Sequence, residues 1–411
     1  MRILVISESI NIEDSSASKV NVALITNLYK AGFDIKVLHY SYKKIDIENV
    51  ETILIKENRS SLLFFLSRFV SIFQKYTSIL LSQRIEQLRG FSLIHCNDTN
   101  SIAEGIAKER DFSPDLIITL SKGGSFRPHR AMLKLPDLQS KWMAYIHDPY
   151  PFHFYPRPFN CVEKSYNKKE KFMSDITEKS KYLGFPSLLL KQWMQSYFPA
   201  VEGKSVIIPH QIGNGIQETI LPEFFNPNEF SLLHAGNLLK QRSPKFLING
   251  FLKFLDNNPE AKNNAKLYLI GPNGYHTTIL EPLLRHQNVF VKDSLPYDVV
   301  LNLEKSVVAN IILEAVSEIS PFLPGKFPNC VIANKPIIAL GPYYSETRRL
   351  LGEEYPYWAE ANDEINIEKI ISTLYKKWKV APNGLALNRN DLMEYCSEVN
   401  LKKALQNMKL L

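Results

Sequence analysis

The stretch FSLLHAGNLLKQRSPKFLINGFLKFL, Phe230–Leu255, decides the fold. Phe230–His234 is an apolar run of strand length, and Ala235-Gly236-Asn237 ends it in a turn. Ser243–Leu255 then carries apolar residues at helical spacing. The pattern repeats downstream. Leu267–Ile270 predicts a strand that ends in Gly271-Pro272-Asn273-Gly274. Val289–Val291 predicts a short strand, Tyr297–Lys305 a helix and Val308–Leu313 a strand. Lys326–Asn334 predicts a helix, and Pro336–Leu340 the strand after it. Alternating strands and helices call for a parallel sheet with right-handed crossovers.

Upstream the same alternation has already run once. Arg2–Ile6 and Ile35–Tyr40 predict strands, with a helix over Val20–Lys30 closed by Ala31-Gly32. Further strands are expected at Leu93–His95, Asp115–Leu120, Trp142–His147 and Ser205–Pro209, ahead of Gly213-Asn214-Gly215. At 411 residues the chain exceeds one ordinary core. The expectation is an α/β protein of two Rossmann-like parallel-sheet domains facing across a cleft. They cover residues 1–210 and 230–385, joined by a linker at 211–229. A helical segment, 386–411, is expected to return to the first domain. Ligands of such sheets bind beyond the carboxyl ends of the strands.

Composition excludes several classes. Hydrophobic residues make up 45% and charged residues 22%, which describes a folded globular protein and not a disordered one. No run of about 18 uninterrupted apolar residues is present, which argues against a spanning helix. The opening MRILVI reads directly into a strand and lacks the pattern of a secretory signal, so a cytoplasmic location is expected. Cys96, Cys161, Cys330 and Cys396 are scattered without a CxxC pair, which reads as free thiols and no metal site. The net charge of +7 is unevenly placed. Residues 1–210 hold 28 Lys and Arg against 21 Asp and Glu, whereas 211–411 hold 21 of each. That asymmetry fits either an anionic partner for the first half or a solvated basic face. No dense basic stripe or nucleic-acid motif occurs, and nucleic acid is not expected as a partner.

Leu62–Leu81 stands apart. As one helix it gathers Ser67, Ser71, Gln74, Lys75 and Ser78 on a narrow polar face, with apolar residues around the rest and Arg68, Lys75 and Arg84 at the edges. Such a helix either seats in a bilayer interface or packs on the sheet of its own domain.

The motifs narrow the chemistry. No GxGxxG follows the first strand, and no GxxxxGK[ST], HExxH or GxSxG occurs. The Ser-rich loop Asp14–Lys19 offers Ser16 and Ser18 to an anion at a helix start, or simply caps that helix. KWMAYIHDPYP, Lys141–Pro151, ends a strand in His147-Asp148, a titratable pair where open sheets bind ligands. After Phe230–His234, Gly236 lets a phosphate approach the backbone, with Lys240, Arg242 and Lys245 to neutralise it. Ser320–Gly325 is a turn-rich loop leading into the helix at Lys326.

In this order, FSLLHAGNLLKQRSP, LYLIGPNG and PFLPGKFPNCVIANKPIIAL resemble the second domain of retaining GT-B glycosyltransferases of family 4. The likeness covers roughly residues 230–345 and extends loosely through WMAYIHDPYP, FPSLLLKQWM and VIIPH of the first half. It implies transfer of a sugar, with retention and without a metal or other cofactor, from a nucleotide-sugar of UDP or GDP type. The acceptor would be a hydroxyl of a glycan or lipid-linked molecule, as in bacterial surface polysaccharide assembly at the inner face of the cell membrane. By position, Arg242, with Lys245 or Lys326, would hold the donor diphosphate, above Gly236 and Asn237. Backbone of Pro321, Phe322 and Leu323 would face the same group, and Gly271 would lie near the base. His147 and Asp148 would face the transferred sugar and acceptor, and Ser16 and Ser18 would stand near the donor phosphate. Where the family commonly carries two glutamates, this chain has Pro321 and Asn329, so a neutral amide replaces the acidic ribose contact. Two other uses of such a chain stay open: a nucleotide-sugar epimerase, and a non-catalytic scaffold that binds lipid or a partner enzyme through a basic first domain.

Overall fold

The computed structural model describes residues 1–77, 80–109, 111–213 and 220–408. Ser78, and Asn214 and Gly215 of the expected linker, lie outside the described residues. Contacts divide the chain into two units. One holds Met1–Tyr155, Asn160–Gly213 and Cys396–Leu411; the other holds Pro156–Phe159 and Asn214–Tyr395.

The first unit is built on a sheet of seven parallel strands. In chain order these are β1 (Arg2–Ser7), β2 (Asp34–His39), β3 (Glu51–Leu54), β4 (Leu116–Leu120), β5 (Trp142–Tyr145), β6 (Tyr182–Phe185) and β7 (Ser205–Ile207). Their spatial order is β3-β2-β1-β4-β5-β6-β7. The inner strands β1, β4 and β5 are continuous apolar runs because helices cover both faces. Between β1 and β2 runs α1 (Ser16–Lys30), which starts earlier than apolar spacing predicts. Ser15 is the reason: its side chain caps the helix by accepting from the Ser18 amide at 3.2 Å. In β6, Gly184 leaves room for Tyr145; a Cβ there would stand 2.6 Å from the Tyr145 ring.

Three helices, α2 (Leu62–Thr77), α3 (Leu81–Arg89) and α4 (Leu93–Lys108), separate β3 from β4. Leu93–His95, expected as a strand, is instead the first turn of α4. Ser92 caps it by accepting from the His95 amide, and Ile102, Ala103 and Ile106 continue the apolar face at helical spacing. Of the helix expected over 62–81, α2 covers Leu62–Thr77, and Leu81 already opens α3. Among the serines of α2, Ser67 is turned away from water and Ser71 is exposed. Ser67 is buried and its hydroxyl donates to the Phe64 carbonyl at 2.8 Å, while Ser71 donates to Ser67 at 2.9 Å. With these hydroxyls satisfied inside the helix, Leu63, Ser67 and Val70 turn inward. Leu62, Phe65, Leu66, Phe69, Ile72 and Tyr76 are left outward, between 41% (Leu66) and 81% (Tyr76) exposed. Among the described residues, no helix is long and apolar enough to cross a membrane.

The second unit repeats the plan. Its strands are β8 (Phe230–Ala235), β9 (Ala265–Ile270), β10 (Val289–Lys292), β11 (Ala309–Leu313), β12 (Ile319–Ser320), β13 (Ile337–Leu340), β14 (Tyr344–Ser345) and β15 (Trp358–Ala359). Six form a parallel sheet ordered β10-β9-β8-β11-β13-β15, and β12 and β14 pair separately. The helix Lys245–Asn257 lies against Glu364–Val380, over a core of Phe230, Phe251, Phe254, Tyr375 and Trp378. The helix expected at Lys326–Asn334 spans Phe327–Ile332, with Lys326 as its N-cap; Asn334 turns to φ +52° and stops it. Near the end of the chain, Asn390–Tyr395 stays with the second unit. The helix Glu398–Asn407 packs Leu401 and Leu405 against Ile25 and Leu28 of the first, and the Ile212 amide bonds Cys396 at 2.9 Å.

Gly250 sets how closely the two helices of the second unit approach. A Cβ there would lie 2.6 Å from Ile367 Cγ2 and 3.2 Å from the Glu364 carbonyl. Alanine gains about 1 kcal/mol of helix propensity, but the clash with backbone and a β-branched side chain costs about 1–3 kcal/mol. Gly250→Ala is therefore expected to lower the midpoint of urea unfolding. An unchanged or raised midpoint would mean that the helix pair relaxes freely.

Candidate functional site

At the carboxyl edge of the second sheet, β8 and β9 end in two glycines that touch. Gly236 (φ +155°) and Gly271 (φ +136°) occupy backbone conformations that side chains disfavour. A Cβ on Gly271 would stand 2.3 Å from the Gly236 carbonyl oxygen. The Gly236 amide donates to Ile270 at 2.8 Å and that of Leu238 to Pro272 at 2.9 Å, which lays one loop along the other. His276 Nε2 adds a 2.9 Å contact to the Leu239 carbonyl.

Arg242 closes the first of these loops. Its amide donates to Leu239 at 2.8 Å and its Nη1 reaches the Asn237 carbonyl at 3.5 Å. The half-buried guanidinium keeps a buried Nε with no partner among the described residues. Burial lowers its pKa, and the carboxylate of Glu314 opposes that shift. Glu314 follows β11 directly and is 5% exposed. Burial pushes its carboxyl up, against Ser320, Thr347 and Arg242. Sequence reasoning missed this residue. The available signal was a lone acid at the end of an apolar strand, in Ala309–Ala315.

Lys326 reaches back under the same edge. Its Nζ donates to the Ile311 carbonyl at 2.5 Å and lies 3.2 Å from Nδ1 of His234, the residue before the glycine turn. Burial holds the ammonium down at about 8. His234 is 1% exposed; burial, then Lys326 and Arg242, keep its imidazole well below its ordinary range and hence neutral. Lys326, His234 and Arg242 thus form one electrostatic group around Gly236. His234 is the second residue that sequence reasoning passed over.

The other expected residues of this unit sit as follows. Asn329 is half-buried with its amide against the Tyr297 hydroxyl, Nδ2 at 3.2 Å. Pro321 and Leu323 are buried, and Phe322 sets its ring edge-on to Phe159 at 5.9 Å. Asn237 and Lys245 are exposed; Lys245 opens its helix, lies 5.7 Å over the Phe246 ring and adds to the positive field on Glu364.

In the first unit, His147 follows β5 and is 8% exposed. Its ring stacks on His210 at 6.0 Å and meets Tyr145 edge-on at 4.7 Å, and its Nε2 has no partner among the described residues. Burial, then His210 and His129, keep it neutral. Burial alone pushes the neighbouring Asp148 carboxyl up to about 6, so it is mostly ionised at pH 7. Ser18 is buried with its hydroxyl 3.0 Å from that of Ser15, inside the cap of α1, whereas Ser16 is exposed. The loop before them is tied by one carboxylate: Ser9 donates to Asp14 at 2.8 Å and Lys122 to Asp14 at 3.3 Å. Beneath it Glu8 accepts from Arg127 Nη1 at 2.6 Å, and Arg127 Nε donates to Asp98 at 2.9 Å. Asp98 also accepts from the Tyr40 hydroxyl at 2.8 Å.

No protein-family model matches the chain, and no curated protein matches it. Solved structures do. The trehalose-6-phosphate synthase OtsA aligns over 100% of this chain and 99% of its own, at 10% identity and a TM-score of 0.63. HepE of Anabaena, in complex with UDP and glucose, aligns over 100% of both chains, at 11% identity and a TM-score of 0.60. The lipopolysaccharide outer core galactosyltransferase WaaB, in its apo form, aligns over 100% of this chain and 99% of its own, at 13% identity and a TM-score of 0.57. The fold is GT-B. At such identities the GT-B likeness is one of architecture, and the side chains of the site have to argue for themselves.

An anion held by the Lys326 ammonium is expected to bind less tightly as pH rises through about 8, since the proton that carries the charge is then lost. Calorimetric titration with pyrophosphate from pH 7 to 9.5 measures this. Lys326→Arg should flatten the profile, because a guanidinium stays charged throughout. A wild-type profile that is already flat would place the anion elsewhere.

Proposed function

We propose that this GT-B chain transfers a sugar with retention from a nucleoside-diphosphate sugar, of UDP or GDP type, to a hydroxyl of a glycan or lipid-linked acceptor. The observation that carries this reading is the joining of Arg242, Lys326 and the Gly236–Gly271 contact at the carboxyl edge of the second sheet. Two turn glycines without side chains allow close approach, and two fixed cations offset a diphosphate's charge. As the glycosidic bond breaks, negative charge grows on the leaving diphosphate. Preplaced cations stabilise it without reorganisation, while the acceptor hydroxyl attacks from the same face. Asn329 is assigned to the donor ribose, and Gly271 to the neighbourhood of the base. Asn237, Lys245, Ser16, Ser18 and the backbone of Pro321–Leu323 are assigned to the donor's surroundings. In the first unit, neutral His147 and ionised Asp148 are assigned to the transferred sugar and acceptor hydroxyls, which they suit as hydrogen-bonding groups.

The binding test uses thermal shift and calorimetry with UDP, GDP, TDP, CMP and their common sugar conjugates. One nucleotide should stabilise the protein selectively. Arg242→Ala should weaken that binding and lower turnover about 10²- to 10³-fold while leaving the unfolding midpoint in place. Near-normal turnover in the variant removes Arg242 from the donor site. Nucleotide binding without turnover on any glycan or lipid-linked acceptor favours the scaffold reading, for which Pro321 and Asn329 in place of glutamates already speak.

The same reading puts the enzyme to work in surface polysaccharide assembly, on the cytoplasmic face of a membrane. What supports this is the outward face of α2, with Phe65, Phe69, Ile72 and Tyr76 exposed beside exposed Arg68 and Lys75. Together with the basic surplus of residues 1–210, it suits an anionic lipid surface. Sedimentation with phosphatidylglycerol vesicles should carry the protein down. The triple change Phe65→Ser, Phe69→Ser and Ile72→Ser should cut the partition at least about ten-fold. Equal partition of the variant would exclude α2 as the contact.

A further inference from the structure

His234 lies one residue before the strand gives way to the glycine turn, buried on β8, with one of its nitrogens unpartnered among the described residues. Nδ1 faces two neighbours, the Lys326 ammonium at 3.2 Å and the Ile311 carbonyl at 3.3 Å. The ammonium already donates to that carbonyl at 2.5 Å. Two neutral tautomers compete. A proton on Nδ1 would point into the space the ammonium occupies and reach the carbonyl only at the longer distance. A proton on Nε2 leaves the Nδ1 lone pair to accept from the ammonium, which is the electrostatically favoured arrangement. Lys326 therefore fixes the proton on Nε2.

That N–H is buried and has no partner among the described residues, an arrangement that costs folding free energy unless something uses it. It stands 3.8 Å from the place a Cβ would take on Gly236, so it looks onto the turn where the backbone is bare. Arg242 lies close enough to act on the imidazole's charge, and its own buried Nε is likewise unpartnered among the described residues. Two buried donors without a partner among the described residues, one neutral and one cationic, thus belong to the same strand end and the turn that follows it.

We propose that His234 donates a hydrogen bond through Nε2–H to the diphosphate of the sugar donor, and that Lys326 makes it a donor by occupying Nδ1. This rests on the donor site proposed above and adds a contact to it. A neutral donor of fixed direction adds little charge but recognises the position of one phosphate oxygen. It separates a diphosphate from a monophosphate more sharply than a flexible cation does.

The side-chain amides of glutamine and asparagine divide the two nitrogens. His234→Gln places an amide N–H2 near the Nε2 position and gives up the contact to Lys326. His234→Asn places its amide near the Nδ1 position, where it can still accept from Lys326, and withdraws the donor from the turn. His234→Phe keeps volume and removes both. Titration calorimetry with UDP and GDP, and with UMP and GMP as controls, reads the result, with circular dichroism to follow the fold. For the diphosphate that binds the wild type, the glutamine variant should stay within about three-fold of it, and the asparagine and phenylalanine variants should lose about ten-fold or more. Monophosphate affinity should be unchanged in all of them, whereas a general loosening of the site would weaken both classes. An asparagine variant as tight as wild type, with glutamine weakened, would show that His234 merely steadies Lys326 and would overturn the inference alone. Wild-type protein that binds neither diphosphate would overturn the donor site and this contact together.

Discussion

The second unit depends on a backbone contact between two glycines, one in each of two turns. The Gly236 carbonyl oxygen occupies the space that a Cβ on Gly271 would need, 2.3 Å away. Only because both positions are glycine can the loops after β8 and β9 lie against each other. That contact brings Leu238 under Pro272 and carries the chain round to Arg242. Without it the guanidinium would not return to the sheet edge near Glu314, and the imidazole of His234 would have no bare turn to face. The steric rule is local, yet it places a cation, a neutral ring and an ammonium around one glycine.

The first unit solves the same problem with charge. Where β1 ends, Glu8 takes Arg127 Nη1, and Arg127 hands its Nε to Asp98, which also receives the Tyr40 hydroxyl. Removing one partner of such a buried set strands the others, and that is more costly than the set is stabilising. The network therefore ties the end of β1 to the helices that begin at Leu93 and Arg127. The Ser-rich loop above is tied down in turn by Asp14, and the Ser18 hydroxyl is held against Ser15, the cap of α1.

Much of this was readable in advance because parallel sheets bury both faces of their strands. Continuous apolar runs such as Ile3–Ile6 and Trp142–Ile146 can hardly be anything else once helices flank them. Short runs are ambiguous. Leu93–His95 had three residues of apolar bias and no period, and Ser92 tipped it into a helix. The sheet's other strands at Glu51–Leu54 and Tyr182–Phe185 were passed over because polar residues and Gly184 interrupt them. At the site, residues announced by turns, such as Gly236, Gly271, Arg242 and Lys326, stood out. Glu314 and His234 did not, because each ends an apolar strand and gains its meaning only from neighbours far along the chain. The helix α2 shows the limit of reading faces: Ser67, whose hydroxyl bonds its own backbone, is buried beside Val70, while apolar residues such as Phe65, Phe69 and Ile72 stay exposed.

The last helix, Glu398–Asn407, has a consequence for how the molecule is made. Leu401, Leu405 and Met408 complete the core formed by Ile25, Leu28 and Val206. A ribosome delivers Ile25, Leu28 and Val206 before Asn214–Tyr395 of the second unit, and Leu401, Leu405 and Met408 after it. The leading unit must therefore wait, with one flank of its sheet uncovered, while the whole of the second is synthesised. The second unit has its principal core within Asn214–Tyr395 and is complete when it emerges. Order of synthesis and order of completion are thus inverted, and the unit begun first is the one finished last.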